Sequence, residues 1–208
     1  MSQLIEELIK AGHLRTPRII SAFQKIKRQD FVLSEIREEA DGNYPLSIGY
    51  GQTISQPFTV AFMLELCQPQ EGDKVLDIGS GSGWTTALFA EIVSERGKVF
   101  GIELISQLKE FGEGNVKKYN FVSSGRVVFI CGDGSKGLSH EAPFNVIHVA
   151  AAAADIPQAL LDQLAIGGRL VIPEGTMTQD MVLITKISDR RFEEKRFPGF
   201  VFVPLIRG

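Results

Sequence analysis

Two cysteines and three histidines stand among 208 residues, and that scarcity closes off several chemistries. Cys67 and Cys131 lack CxxC spacing, so neither a metal site nor a disulfide framework is expected. Both lie in apolar stretches and read as small buried hydrophobes. His13, His140 and His148 are scattered without ligand spacing, and no metal is implied. No dense Lys/Arg block is present and the formal net charge is −3, which gives no reason to expect a nucleic-acid partner. The short cluster Lys25-Ile26-Lys27-Arg28 reads as basic residues closing a helix, not as a phosphate site. No apolar run approaches the length of a membrane span. The first residues carry Glu6 and Glu7 and no signal-peptide pattern. The expectation is a cytoplasmic monomer with neither nucleic acid nor membrane as partner.

What is present is ordinary for one globular domain: 44% hydrophobic residues and 23% charged, in a chain long enough to bury a sizeable core. Residues 2–11 read as an amphipathic helix with Leu4, Ile5, Leu8 and Ile9 on one face. Thr16-Pro17 reads as the cap and first turn of a second helix, whose buried face is Ile19, Ile20, Phe23 and Ile26. Residues 29–44 are polar and irregular. Residues 45–57 are neither periodic nor strongly polar, and read either as a site loop or as a connector in which Ser55 or Gln56 caps the helix at Pro57. From residue 73 strand and helix alternate. Strands are expected at 73–78, 98–103, 126–131, 144–149 and 168–172, and helices at 83–95, 104–119 and 156–164. Gly112 and Gly114 weaken the middle helix and could break it. Two longer strands, 180–187 and 192–203, follow around Asp189-Arg190.

The fold class expected is therefore α/β, a doubly wound and mostly parallel sheet of the Rossmann-like kind. It has an antiparallel C-terminal edge and an N-terminal helical appendage. The expected division is one domain over 1–208: appendage and loop at 1–60, cofactor-binding core at 61–175, C-terminal strands at 176–208.

The organising stretch is Val75-Leu76-Asp77-Ile78-Gly79-Ser80-Gly81-Ser82-Gly83-Trp84, a strand running through three glycines into a helix. A dinucleotide fingerprint is G-x-G-x-x-G, and here Trp84 stands where the third glycine would be needed. The spacing suits a ligand with a positive charge and an amino-acid end in place of a diphosphate. S-adenosylmethionine has both, and Asp77 can face its cationic end directly or through water. Glu103 ends the next strand, about 20 residues on, where a carboxylate accepts from ribose hydroxyls. Gly132-Asp133-Gly134 ends the third, where a carboxylate can accept from an adenine amino group. Taken singly, Asp77 could cap a turn, Glu103 could open a helix and Asp133-Gly134 could be only a turn. Together at three strand ends they mark Asp77, Gly79, Ser80, Gly81, Gly83, Glu103, Asp133 and Gly134 as cofactor residues.

Gly49-Tyr50-Gly51-Gln52-Thr53-Ile54-Ser55-Gln56-Pro57, ahead of that motif, resembles the protein-L-isoaspartate O-methyltransferase family. So do Arg18-Ile19-Ile20-Ser21-Ala22-Phe23, Asp30-Phe31-Val32, Ala151-Ala152-Ala153, Gly167–Pro173 and Phe202-Val203-Pro204-Leu205. Trp84 replaces a usual Tyr, Asn145 a common acid, and Ala150 a common Thr or Gly. The resemblance implies methyl transfer from S-adenosylmethionine to the free carboxylate of isoaspartyl residues in proteins and peptides, which starts their repair. It implies Ser55 as the catalytic positioner with Thr53 beside it on the cofactor side. Substrate would lie against Ile54, Ser55, Val203 and Leu205. The alternatives are a methyltransferase acting on another carboxylate or small molecule, a non-catalytic cofactor-binding module, and a nicotinamide oxidoreductase.

Overall fold

The computed structural model describes residues 2–206. Helices α1 (Gln3–Lys10) and α2 (Pro17–Lys25) lead, followed by 3-10 turns at Arg28–Phe31 and Ser34–Asp41. A small hairpin of β1 (Leu46–Gly49) and β2 (Gln52–Ile54) precedes α3 (Pro57–Cys67). The alternating core is β3 (Lys74–Ile78), α4 (Trp84–Val93), β4 (Lys98–Glu103), α5 (Ser106–Lys117), β5 (Val127–Cys131), β6 (Phe144–Val149), α6 (Gln158–Asp162) and β7 (Leu164–Glu174). The hairpin of β8 (Gln179–Ser188) and β9 (Arg191–Phe200) completes the chain's regular elements.

Seven strands form one sheet in the order β5-β4-β3-β6-β7-β8-β9. The first five are parallel, and β8 and β9 are antiparallel additions. Strand order runs outward in opposite directions from β3 and β6, so the C-terminal ends of these two strands flank the switch point where open α/β sheets bind ligands. Apolar residues line both faces, as a parallel sheet covered on both sides requires. Val75, Val99, Val127 and Val146 pack under α2, α3, α4 and α5. Leu76, Ile78, Phe100 and Ile147 pack with Leu160 of α6 on the other face.

Several local expectations are corrected. The helix at 106–117 is unbroken through Gly112 and Gly114. Gly112 is there for contact: a Cβ on it would lie 2.5 Å from the Gly81 carbonyl oxygen. The strand expected over 192–203 ends at Phe200. Beyond it, Val203–Leu205 crosses to the sheet's ligand end, where Ala152 N–H donates to the Val203 carbonyl (2.8 Å) and Leu205 N–H to the Ala152 carbonyl (2.7 Å). Strand β7 begins at Leu164, before the expected 168. Cys67 is buried but Cys131 is exposed, because β5 is an edge strand. Among the described residues no helix is long and apolar enough to cross a membrane.

The N-terminal helices are tied down through polar groups as well as the apolar face. Thr16 caps nothing with its side chain; its hydroxyl donates to Glu65 Oε2 (2.7 Å). Glu65 Oε1 takes the backbone N–H groups of Arg15 and Thr16, both at 2.8 Å. Burial alone would raise the Glu65 pKa, but these donors outweigh it and hold the carboxyl below its ordinary range.

Candidate functional site

An open cavity lies at the ligand end of the sheet, where open α/β sheets hold their ligands. One wall is the turn after β3. Gly79, Gly81 and Gly83 all have positive φ, which only glycine adopts without strain. The turn is clamped from behind. Gly81 N–H donates to Glu103 Oε2 (2.9 Å), and Asn115 of α5 donates to the Ser82 carbonyl (3.1 Å). Gly83 does not line the cavity; a Cβ there would meet the Gly112 carbonyl oxygen at 2.8 Å. Its lack of a side chain lets helix and turn close together.

Glu103 is buried, lines the cavity, and accepts a second N–H from Ile105 (3.0 Å). A carboxylate has about four acceptor positions, so two remain for a ligand. Gly79, Ser80 and Gly81 also line the cavity. The Ser80 hydroxyl and the Trp84 Nε1–H are buried and lack protein partners among the described residues, and both residues belong to the lining. At the β5 end the wall is Gly132 and Gly134. A side chain on Gly134 would strike Ile78 at 2.3 Å, so glycine keeps this rim low.

Two further expected cofactor residues, like Gly83, sit off the lining. Asp77 is fully buried and absent from the lining. Its Oδ2 accepts from the Thr86 hydroxyl of α4 (2.5 Å), and its Oδ1 meets His148 Nδ1 of β6 at 2.7 Å. Asp77 and His148 are direct partners in the β3–β6 ladder. Strand pairing thus places an imidazole beneath the glycine turn, buried against Phe89. Spacing along the chain cannot reveal a neighbour 71 residues away. Asp133 likewise lies off the lining, with Oδ1 accepting from Ser135 N–H (2.9 Å) and hydroxyl (2.7 Å).

A second wall comes from the hairpin. Tyr50 and Gly51 both have positive φ, as a two-residue turn between twisted strands demands. The hairpin leads Thr53, Ile54 and Ser55 into the cavity wall. Neither Ser55 nor Gln56 caps α3 through its side chain; Asn43 Oδ1 accepts from Phe58 N–H instead (2.9 Å). That leaves the Ser55 hydroxyl without a protein partner among the described residues. Val203, Pro204, Leu205 and Ile206 close the remaining side, beside Ala150 and Ala151.

Arg28 was missed. Within a basic cluster it reads as a solvated helix end, yet it is buried and donates to carbonyls of Ala40, Gly42, Tyr44 and Ser55. Only the irregular, carbonyl-rich segment that follows hints at such a use.

Comparison with known proteins agrees with this geometry. The family described as Protein-L-isoaspartate(D-aspartate) O-methyltransferase (PCMT) matches residues 1–208. A protein-L-isoaspartate O-methyltransferase of Aeropyrum pernix is 44% identical over 205 residues, covering 98% of this chain and 78% of its own. Another, from Methanopyrus kandleri, is 42% identical over 205 residues, covering 98% and 90%. A crystal structure from Plasmodium falciparum, assigned as a protein-L-isoaspartate O-methyltransferase and in complex with S-adenosyl-L-homocysteine, superposes with a TM-score of 0.88. It is 27% identical and covers 99% of this chain and 97% of its own. The chain belongs to the protein-L-isoaspartate O-methyltransferase family.

Proposed function

We propose that this protein transfers a methyl group from S-adenosylmethionine to the free α-carboxylate of isoaspartyl residues in proteins and peptides, starting their repair to aspartate. One observation carries the reading beyond family membership: among the described residues, Glu103 is the one acid or base whose side chain lines the cavity. Glu103 is already engaged by Gly81 and Ile105 N–H groups. A neutral nucleophile would need a base to take its proton. A carboxylate acceptor, with pKa about 4, is ionised at pH 7 and needs none.

The residues fit the cofactor. Glu103 has lone pairs left for ribose hydroxyls, and Gly132 and Gly134 leave room for a flat base. Gly79, Ser80 and Gly81, with Thr53 opposite, hold the amino-acid end, where Ser80 Oγ and Trp84 Nε1 offer unused donors. Asp77 acts from beneath as a buried anion, Gly83 keeps the turn seated on α5, and Asp133 shapes the rim through Ser135. The Gly81 N–H points into a carboxylate, which disfavours a diphosphate and with it a nicotinamide cofactor. When bound, S-adenosylmethionine supplies an electrophilic methyl group on a sulfonium.

Catalysis by the chain is then alignment and exclusion of water. The Ser55 hydroxyl donates to the acceptor carboxylate and sets its direction without moving a proton. Ile54, Val203 and Leu205 hold the peptide around it, in a segment fixed by its hydrogen bonds to Ala152. The protein is further taken to act as a cytoplasmic monomer on protein and peptide substrates, with residues 1–60, 61–175 and 176–208 forming one domain. Size-exclusion chromatography coupled to light scattering tests the oligomeric state.

The deciding experiment incubates the protein with an isoaspartyl peptide and methyl-labelled S-adenosylmethionine. A base-labile labelled ester is expected, and its absence rejects the reaction. Ser55→Ala is expected to lower kcat by about 10- to 100-fold with cofactor affinity within about threefold of the parent. An unchanged kcat removes the role given to Ser55.

A further inference from the structure

Arg28 is 5% exposed, and among the described residues it forms no ion pair. Burial draws its pKa down to about 10, so it is a cation at neutral pH. A buried cation without a paired anion is costly, and hydrogen bonds must compensate it. Here the compensation comes from main-chain carbonyls of separate segments, with further support from the nearby charge of Asp41. Nη1 donates to Ala40 and Gly42 (both 3.0 Å). Nη2 donates to Tyr44 (2.9 Å) and Ser55 (3.2 Å). The guanidinium carbon lies 5.4 Å from the centre of the Trp84 ring, against which Phe23 also packs edge-on at 5.6 Å.

Two of the groups so gathered, Ser55 and Trp84, are cavity wall. They come from different elements, one from the segment after the hairpin that presents the hydroxyl, the other from the helix that follows the glycine turn. Arg28 touches neither the cavity nor the reacting atoms. A purely apolar plug would fill the same space without burying a charge, but it could not hold the Ser55 carbonyl. Lysine would bring three donors on a flexible stem in place of a planar fork.

Resting on the function proposed above, we infer that Arg28 is a positioning residue for methyl transfer: its guanidinium fixes the main chain at Ser55 against the face of Trp84, and so sets the direction of the Ser55 hydroxyl. The structure needs Arg28 for the chemical step more than for holding the cofactor, whose cradle is built on β3, β4 and α5.

Arg28→Lys and Arg28→Gln in the full chain test this. Trp84 is the single tryptophan, so intrinsic fluorescence reads both the Arg28 contact and cofactor binding. For variants shown folded by circular dichroism, kcat is expected to fall about 10- to 100-fold, with the dissociation constant of S-adenosylhomocysteine within about threefold of the parent and Trp84 emission shifted. Millimolar methylguanidinium added to Arg28→Ala at a temperature where it stays folded is expected to restore part of kcat. Hydrogen exchange supplies a readout independent of turnover: amides of residues 44–56 should exchange faster in the variants with cofactor bound. Parental kcat in either folded variant overturns the inference, as does a loss of kcat matched by an equal loss of cofactor affinity. If the parent forms no ester on the isoaspartyl peptide, the proposed reaction fails separately, and unchanged exchange at 44–56 then overturns the role of Arg28.

Discussion

The role proposed for Asp77 is one a residue can play toward a ligand without touching it. Its carboxylate is satisfied by Thr86 and His148, and it is fully buried under the turn that cradles the cofactor. Its effect on a ligand is therefore a field, and a field distinguishes a cation from a neutral molecule of nearly the same shape. S-adenosylmethionine carries a sulfonium; S-adenosylhomocysteine, lacking the methyl, does not. Asp77→Asn keeps the size and most of the hydrogen bonding while deleting the charge. The variant is expected to lose affinity for S-adenosylmethionine by about 1–2 kcal/mol more than for S-adenosylhomocysteine, the scale of a charge pair at intermediate dielectric. Calorimetric titration of both ligands measures the difference. Equal losses would mean that Asp77 acts by shaping the turn and not through its charge. At this scale the sequence was readable where a residue's place depends on its chain neighbours, as with Gly79, Gly81 and Glu103, which line the cavity at strand ends. It was opaque where the partner is distant: His148 meets Asp77 through strand pairing, and Arg28 meets carbonyls up to 27 positions away.

Helix α5 carries the same lesson at the level of elements. Alternation of strand and helix placed it well, but helix propensity misjudged its two glycines. Propensity sees a cost of about 1 kcal/mol for each, and cannot see what lies across the gap. Gly112 faces the Gly81 carbonyl at a distance where no Cβ fits, whereas Gly114 is exposed with nothing near it. The two sites therefore predict opposite signs for one substitution. Gly114→Ala is expected to stabilise the protein by about 0.5–1 kcal/mol, the ordinary gain from removing a helix glycine. Gly112→Ala is expected to destabilise it by about 1–3 kcal/mol, since the backbone oxygen it meets cannot swing aside as a side chain would. Because that oxygen belongs to the cofactor turn, the same variant should bind S-adenosylhomocysteine more weakly. Urea unfolding and ligand titration of both variants check this; a Gly112→Ala variant as stable as the parent or more so would remove the packing role given to Gly112.

On the scale of the whole molecule, the parallel core was legible because buried parallel strands declare themselves as short apolar runs between glycines. How the first sixty residues join that core was only half legible: the apolar faces of their helices were readable, but the polar groups that also tie them down have partners about 50 positions away. Glu65 of α3 is the centre of that attachment, accepting from Arg15, Thr16 and Gln68. Desolvation opposes its ionisation, yet the donors from Thr16 and Arg15 prevail, and the folded pKa lies below the ordinary value of 4.5. A carboxyl whose pKa is depressed on folding contributes stability above its unfolded pKa, and that contribution is lost as pH falls through the folded value. The exposed Glu71, also depressed by its contact with Arg96, is screened by solvent and adds little. Acidification from about pH 5 downward should therefore loosen the appendage from the core, and with it the hairpin bearing Ser55. Glu65→Gln can keep some of the hydrogen bonds but loses the charge that strengthens them. Its melting temperature is expected to lie below the parent's at pH 7, with the gap closing as both are taken to pH 3. Parallel melting profiles across that window would show that Glu65 does not link the N-terminal helices to the core through its charge.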